Sequence, residues 1–407
     1  MGNSNKITTF AKRKCNATMR YLYIICLVLA AVSFYGCGKE DIVVTETKDI
    51  TNQDDDDTKE SVDSNYTYKL PVVFHVLYTT YNDSVRALAA YLPVVLGYVN
   101  ELYRGNIYGW HGTYSENINI DLQPATTDEE GHRLDTPGVV FEKWYGKFPI
   151  EASSFMSSKN KQYIWEPNEY VNVVVFPFEQ KTSGSIILGI SHMPYTLNDS
   201  TELEGLEPTN KRYLTKKNIR FPYCLAINSD YAHSMSTRYT DTDSTGRRTY
   251  GRKGYLYTTS DIVATLAHEL GHYLGLHHVF TEEKKSGKDS SGWTEVDDCY
   301  DSDFCDDTPS YNKVAYDDSL HTAKKDANIQ KYMKRQSCDG REYDSYNIMD
   351  YSLGYAFQLT ADQKMRIRHV LYYSPLIPGP KLNHVNTITT RSAESDSIIN
   401  LPIVTSE

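Results

Sequence analysis

Positive charge is scarce in this sequence: its 407 residues include 42 lysines and arginines against 53 aspartates and glutamates, a net charge of −11. That balance argues against nucleic-acid binding, which needs a basic footprint. The chain also lacks an internal repeat and a glycine-rich phosphate-binding loop. Its N-terminal apolar run, residues 21–34, is too short to span a bilayer comfortably. Tyrosine, by contrast, is abundant with 34 copies, which suits an extracellular protein.

The N-terminal apolar run has the features of a secretion signal. Basic residues precede the run, and Gly36 stands directly before Cys37. This end resembles a lipoprotein signal, in which Cys37 becomes the lipidated first residue of the mature chain. The aromatic residues before Gly36 depart from the usual pattern, so an uncleaved anchor or simple secretion stays open. We therefore predict a lipoprotein signal peptide over residues 1–37, starting at Met1 or at Met19.

The residues after the cysteine are polar and include four consecutive aspartates, residues 54–57. Charge runs of this kind are usually solvated linkers, so we predict an acidic flexible tether over residues 38–66. An acidic segment at this place also resembles an export signal that carries lipoproteins to the outer leaflet. We expect an outer-membrane lipoprotein at the surface of a Gram-negative bacterium, with a periplasmic or secreted protein as the alternative. A polar, loosely ordered tail is predicted over residues 381–407.

The most informative segment, residues 268–278, reads His-Glu-Leu-Gly-His-Tyr-Leu-Gly-Leu-His-His. His268 and His272 are four residues apart, so on a helix they share one face and can hold a metal together. Glu269 is the next residue after His268 on the helix, so it would lie near the metal and act on a bound water instead of ligating the metal. We expect Glu269 to take the proton of the attacking water and to pass it to the leaving amine.

The end of this segment supplies a third ligand. Gly275 can break the helix and turn the chain, which would bring His278 back towards the metal. Three protein ligands leave the fourth position open, as in catalytic zinc sites. His277 is the alternative third ligand, and a core helix with incidental histidines is the alternative to a zinc site. Upstream, Ser260 or Asp261 can cap the helix.

A second motif follows at residues 346–351, which read Tyr-Asn-Ile-Met-Asp-Tyr. With the zinc motif, it resembles the metzincin clan, whose zinc helix is followed by a methionine-containing turn, the Met-turn. Within that clan it resembles the pappalysin family, whose pattern is Asn-x-Met-Asp-Tyr. The resemblance implies that Met349 forms the floor under the zinc and that Tyr351 hydrogen-bonds the oxyanion of the tetrahedral intermediate. In a chain so rich in tyrosine, packing is the alternative role for Tyr351.

The resemblance covers roughly residues 68–380 and implies an α+β fold, a metzincin-type catalytic domain over residues 67–380. Its N-terminal subdomain, to about residue 278, would hold a mixed twisted sheet, a backing helix and the active-site helix. A smaller irregular subdomain over residues 279–380 would carry the Met-turn and a C-terminal helix. The family further implies a Zn²⁺-dependent endopeptidase acting on proteins or peptides outside the cell. We expect a monomer.

Patterns of β-branched and aromatic residues predict the strands of the sheet. Residues 186–195 match the family's edge strand, which lies antiparallel to bound peptide and supplies main-chain hydrogen bonds. His192 within that segment is expected to be structural or to lie at the rim of the site. The other predicted elements are strands at 68–78, 118–122, 170–178 and 221–228 and a helix at 87–103.

Four cysteines remain once the signal and the lipidated residue are set aside, and an even number suits an oxidising compartment. Spacing alone leaves three pairings open. The family resemblance favours Cys299–Cys338, which leaves Cys224–Cys305.

Aspartates crowd the segment after the zinc motif. Hard oxygen ligands at this density suit calcium, and the family resemblance implies calcium near its Asp-Thr-Pro element. A solvated acidic loop is the alternative. The candidate calcium ligands are Asp303, Asp306, Asp307 and Thr308.

An endopeptidase is therefore the leading functional hypothesis. A surface lipoprotein that binds host protein or glycan through a vestigial zinc site is the alternative, although such a module has no need of Glu269. A zinc amidase acting on cell wall is a third hypothesis, but its sites do not resemble this long motif with its Met-turn.

Overall fold

Strand β1 (Tyr68–Tyr78) lies inside the main sheet and has the predicted bounds. Its side chains from Val72 to Leu77 are all buried. A strand covered on both faces reads as a continuous apolar run, which is why this segment was recognisable. The further strands, in chain order, are β2 (Ile120–Pro124), β3 (Val139–Lys143), β4 (Val171–Phe176), β5 (Gly189–His192), β6 (Tyr195–Leu197), β7 (Glu207–Thr209), β8 (Leu225–Asn228), β9 (Glu282–Lys284), β10 (Trp293–Glu295), β11 (Lys334–Gln336), β12 (Glu342–Asp344) and β13 (Ile403–Ser406).

The main sheet has seven strands in the order β13-β5-β8-β4-β1-β2, with β3 also paired to β1. Strands β2, β3 and β4 run parallel to β1, and β8 runs parallel to β4. Strand β5 is antiparallel to β8, and β13 is antiparallel to β5. The sheet is therefore mixed, as predicted, with both antiparallel pairings at one end. The predicted strands are all present, and apart from β1 their bounds differ from the predicted ones by a few residues.

Helices α1 (Asp83–Tyr103) and α3 (Ile262–Tyr273) contact each other, and α3 carries the first two histidines of the motif. Asn82 caps helix α1, because its side chain accepts the N–H of Val85 at 3.0 Å, and the helix begins at Asp83, a few residues before the predicted helix. The Tyr103 hydroxyl at its end donates to the carbonyl of Ala267 at 2.9 Å, which ties this backing helix to α3. The helices are α1 (Asp83–Tyr103), α2 (Ala152–Met156), α3 (Ile262–Tyr273), α4 (Lys313–Thr322) and α5 (Ala361–Tyr373).

The chain beyond residue 278 is mostly irregular, as predicted for the smaller subdomain. It contains the hairpins β9–β10 and β11–β12, helix α4, the Met-turn and helix α5. Helix α5 opens with a capping box between Thr360 and Gln363, which fixes where the helix begins. The α+β fold class expected from the sequence is confirmed.

One of the two implied disulfides is present. Cys299 and Cys338 are bonded, with their Cα atoms 5.2 Å apart. The prediction of Cys224–Cys305 is wrong, because both are free, buried thiols. Cys224 precedes β8 and its sulfur lies 3.6 Å from that of Met156, whereas Cys305 lies in the loop after β10. Burial raises the pKa of each thiol, so both pack as small apolar side chains.

The computed structural model describes residues 66–105, 114–180, 186–232, 258–285, 292–322, 332–378 and 403–406. These residues belong to one unit, Glu60–Glu407. The predicted signal peptide with Cys37, almost all of the tether and most of the tail lie outside the described residues. Within the described ranges, no helix is long and apolar enough to cross a membrane.

The tail departs from the predicted loose order at one place, where Ile403–Ser406 forms β13. An Ile-Val-Thr run has a high preference for strands. The open edge of a sheet presents unpaired N–H and C=O groups to such a segment.

Candidate active site

Helix α3 positions the first two histidines of the motif. Asp261, one of the two expected caps, accepts the N–H of Val263 at 2.8 Å. Every residue of the helix is buried, so its polar side chains are held rigidly in the packed interior. The helix ends before Gly275, whose φ of +95° lies in the region that favours glycine. This turn carries His278 back against the helix.

The imidazoles of His268, His272 and His278 meet through their Nε2 atoms. The Nε2 of His272 lies 3.0 Å from that of His268 and 3.0 Å from that of His278. The remaining Nε2–Nε2 distance, between His268 and His278, is 3.2 Å. All three side chains are buried, and together they form a group at metal-ligand spacing.

The other ring nitrogens decide which tautomer is present. Nδ1 of His268 lies 2.7 Å from the carbonyl oxygen of Ile348, and Nδ1 of His272 lies 2.8 Å from that of Leu276. A carbonyl only accepts, so these Nδ1 atoms carry the protons and each Nε2 points a lone pair at the others. Lone pairs facing one another repel unless a cation lies between them. The donor set therefore fits a zinc ion.

Burial also favours the neutral histidines that a metal needs. It lowers the pKa of His268 to about 3, with a further contribution from His278. Burial likewise holds the pKa of His272 well below its usual range. An uncharged imidazole is the form that binds a metal, so the electrostatics agree with the geometry.

The third histidine faces a carboxylate in place of a carbonyl. Oε1 of Glu282 lies 2.9 Å from Nδ1 of His278, and both side chains are buried. The contact is short but is not aligned as a full hydrogen bond. A carboxylate behind a metal-binding histidine orients the ring and raises its basicity. The sequence reasoning missed Glu282, although a glutamate four residues after a candidate ligand was a usable signal.

Two nearby histidines lie outside this group. The ring of His277 packs against Trp293 and Phe304, with centroid distances of 4.7 and 5.2 Å. His192, on β5, has its Nδ1 3.1 Å from the carbonyl of Cys224. Both are buried. The surroundings of His192 are structural, as expected, and His277, the alternative third ligand, is not part of the histidine group.

Glu269 is fully buried and lies against Gly189, the first residue of β5. A Cβ atom at position 189 would stand 2.5 Å from both Cγ and Oε1 of Glu269. Real Cβ atoms do not approach so closely, so only glycine lets the strand come this near the carboxylate. The sequence reasoning missed Gly189, because the contact joins a strand and a helix that are far apart in the chain.

The Met-turn packs beneath the zinc helix. Met349 is fully buried, and its sulfur lies 2.4 Å from the position that a Cβ on Gly271 would take. Asn347 accepts the N–H of Met349 at 2.9 Å, and its amide pairs with that of Gln363 on α5 through two bonds of 3.0 Å. Met349 is therefore held against the helix that carries the histidines, which suits the expected floor.

Tyr351 stands beside the histidines. Its ring centroid is 4.8 Å from that of His278 and 6.0 Å from that of His268. Its hydroxyl donates to Glu295, and Lys313 lies 3.1 Å from the same carboxylate with its ammonium 4.6 Å from the Tyr351 ring centroid. Glu295 and Lys313 were not foreseen, and they hold the phenol at the rim of the site.

A cavity of about 470 Å³ opens beside His268 and Tyr351. Among its described lining residues Asp350 is the only carboxylate. That carboxylate accepts a hydrogen bond from the Tyr311 hydroxyl at 2.9 Å and forms an ion pair with Arg335 at 3.2 Å. The apolar part of the lining consists of Ile186, Leu188, Ala264, Ile348, Leu353 and Ala356.

The acidic segment gives no support to the calcium prediction. Asp303 is buried, with its carboxylate accepting from Thr308 at 2.5 Å and from the N–H of Cys305 at 3.0 Å. Burial raises its pKa to about 8. The side chain of Asp307 accepts the N–H of Asp362, at the start of α5. In the described chain, the groups at metal-ligand spacing are the three histidines and an exposed set, Asp128, Glu130 and His132, so Asp303, Asp306 and Asp307 form no such group.

Comparison with known proteins agrees with the histidine geometry. A family model for peptidases of family M43, described as pregnancy-associated plasma protein-A, matches residues 224–372. That range contains the zinc helix, the disulfide and the Met-turn. No curated protein matches this chain.

Three solved structures of Tannerella forsythia promirolysin or mirolysin are similar. A promirolysin mutant is 17% identical with a TM-score of 0.45, covering 75% of this chain and 81% of its own. Mature mirolysin with a cleaved peptide is 18% identical with a TM-score of 0.41, covering 74% and 90%. Mirolysin with compound 9 is 19% identical with a TM-score of 0.44, covering 75% and 92%.

Proposed function

We propose that this chain is a zinc-dependent endopeptidase of the pappalysin family of metzincins and that it uses Glu269 as general base. His268, His272 and His278 would hold the zinc. The observation that carries the proposal is the meeting of three Nε2 atoms at 3.0–3.2 Å, with two of the Nδ1 atoms bonded to carbonyls. A zinc ion held there supplies Lewis acidity towards the scissile carbonyl.

Glu269 carries the proton transfers in this proposal. It lies one residue from His268 on α3 and is fully buried, so its carboxylate works in a medium where water competes little. It accepts the proton of the attacking water and donates it to the nitrogen of the leaving amine. The packing against Gly189 holds the carboxylate in place between these two transfers.

Tyr351 is proposed to donate to the oxygen of the scissile carbonyl as negative charge develops there. The Tyr351 ring lies beside the proposed zinc ligands, with its centroid 4.8 Å from that of His278. In the structure its hydroxyl donates to Glu295 instead, so the donor role requires the hydroxyl to turn away from that carboxylate. A tyrosine that acts in this way contributes to turnover and little to substrate binding.

The apolar cavity beside His268 gives a place for one substrate side chain. Its only described carboxylate, Asp350, is neutralised by Arg335, so nothing charged in the described lining selects a basic residue. We expect peptides with an uncharged apolar residue on one side of the scissile bond.

The experiment that tests the zinc assignment compares two adjacent buried histidines. His278→Ala should lower the zinc content after dialysis sharply, because it removes one of three ligands. His277→Ala should keep the zinc, since its ring packs on Trp293 and Phe304. Loss of metal from the His277 variant alone would mean that the third ligand has been misassigned.

We also propose that Cys37 anchors the protein to the outer membrane at the cell surface. The support is the order of basic residues, apolar run and cysteine in the sequence. Cys37→Ala should move the protein from the membrane fraction to the soluble fraction. Unchanged membrane association would contradict a lipid anchor.

A further inference from the structure

The side of β5 that faces away from β8 is covered by β13. The pairing is antiparallel, with Ile403 opposite His192 and Ser406 opposite Gly189. The four residues of β13 therefore cover the full length of β5. The last residue of β13, Ser406, lies opposite Gly189, and Gly189 is the residue against which Glu269 packs. Strand β13 therefore extends to the part of β5 that lies beside the catalytic glutamate.

The backbone of β5 divides its hydrogen-bonding groups between two neighbours. On the β8 side, the carbonyl of Leu188, just before β5, accepts the N–H of Asn228 at 2.8 Å. The N–H of His192 donates to the carbonyl of Cys224 at 3.2 Å. These groups alternate along a strand, so the N–H and C=O of Gly189 and Ser191 face β13.

The same alternation applies to β13. Val404 lies opposite Ser191 and Ser406 lies opposite Gly189, so the N–H and C=O groups of Val404 and Ser406 face β5. The N–H of Thr405, between them, faces away from β5. Along the described chain, no further strand pairs with the other side of β13.

A peptide substrate that adds to β5 as an antiparallel strand needs the groups of Gly189 and Ser191 that β13 already uses. Each of these groups serves one ladder partner at a time. We propose that residues 403–406 are an intramolecular ligand of the peptide-binding edge and exclude substrate while they are seated. This inference rests on the proposed peptidase function and adds regulation to it.

The covalent link makes even a short strand an effective competitor. Tethering converts binding into an intramolecular event, with an effective concentration on the order of millimolar. The apparent affinity for substrate falls in proportion to the fraction of molecules whose edge is open. Protein with β13 seated should therefore have a higher KM than protein whose edge is open. The two should have the same kcat, because the catalytic groups themselves are not altered.

Two proline variants one residue apart test the proposal on the purified protein. Val404→Pro removes an N–H that faces β5, whereas Thr405→Pro removes one that faces away and should leave the ladder intact. The second variant is therefore a matched control. If the edge is open in about one molecule in ten, Val404→Pro should lower KM for a peptide about tenfold. Thr405→Pro should behave as the unaltered protein does.

A second readout does not depend on activity. Hydrogen exchange at the amides of Gly189 and Ser191 should be slow in the unaltered protein and in Thr405→Pro, and fast in Val404→Pro. A synthetic peptide with the sequence of residues 401–407 should inhibit Val404→Pro competitively.

Equal exchange and equal KM in the two variants would overturn the proposal. A Val404→Pro protein with lower kcat and a lower melting temperature would also overturn it, since β13 would then be a structural part of the sheet. If no form cleaves peptides, the proposed function fails, and the exchange data still decide whether β13 occupies the edge.

Discussion

Gly189→Ala is expected to impair catalysis without removing the metal. The added Cβ would stand 2.5 Å from both Cγ and Oε1 of Glu269 and 2.7 Å from its Cδ. An ordinary contact between such atoms is about 3.5 Å, so the carboxylate must move by about 1 Å. A misplacement of that size commonly costs about 10²-fold in rate. We therefore expect kcat to fall by about 10²-fold.

The control for this variant is Gly97→Ala on helix α1, where an added Cβ would meet nothing within 4 Å. This change should leave kcat unaltered and, if anything, stabilise the helix by up to about 1 kcal/mol. Peptide turnover and zinc content are measured for both variants. Glu269 is not a proposed ligand, so zinc should be retained in both. A Gly189→Ala protein that turns over peptide at the original rate would refute the close approach as a catalytic requirement.

Three further expectations concern the surroundings of the site. Glu282→Gln should weaken zinc binding about 10-fold, because the charge behind His278 is lost. Glu283→Gln, at an exposed neighbouring residue, should leave zinc binding unchanged. Competition with a chelator measures the zinc affinity of both variants. Tyr351→Phe should lower kcat by about 10–10³ with KM and melting temperature nearly unchanged, and a lowered melting temperature with normal turnover would show a packing role. Leu353→Asp should shift cleavage of a peptide library from apolar towards basic residues, and an unshifted profile would mean that this cavity does not select the substrate.

The elements that local sequence determines were predictable. The β-branched run of β1 and the buried periodicity of α3 with its Asp261 cap gave correct elements. The three histidines met because Gly275 supplied the turn that the motif spacing implied. Each of these features depends on residues within about one helix length of one another.

Features that depend on tertiary contact were not predictable. Gly189 matters only because β5 passes beside Glu269, and no nearby residue signals that approach. The Cys224–Cys305 pairing was inferred by elimination, whereas burial in separate places leaves both thiols free. The pairing of β13 with β5 depends on an open sheet edge, which composition of the tail alone does not reveal.

The most direct test of the central claim is the turnover of Glu269→Gln with zinc bound. The substitution keeps the size and the packing of the side chain but removes its ability to accept a proton. We expect zinc content equal to that of the unaltered protein and a kcat lower by about 10²–10⁴, since general acid–base catalysis typically contributes that much. A zinc-loaded Glu269→Gln protein that cleaves peptides at the original rate would contradict the account.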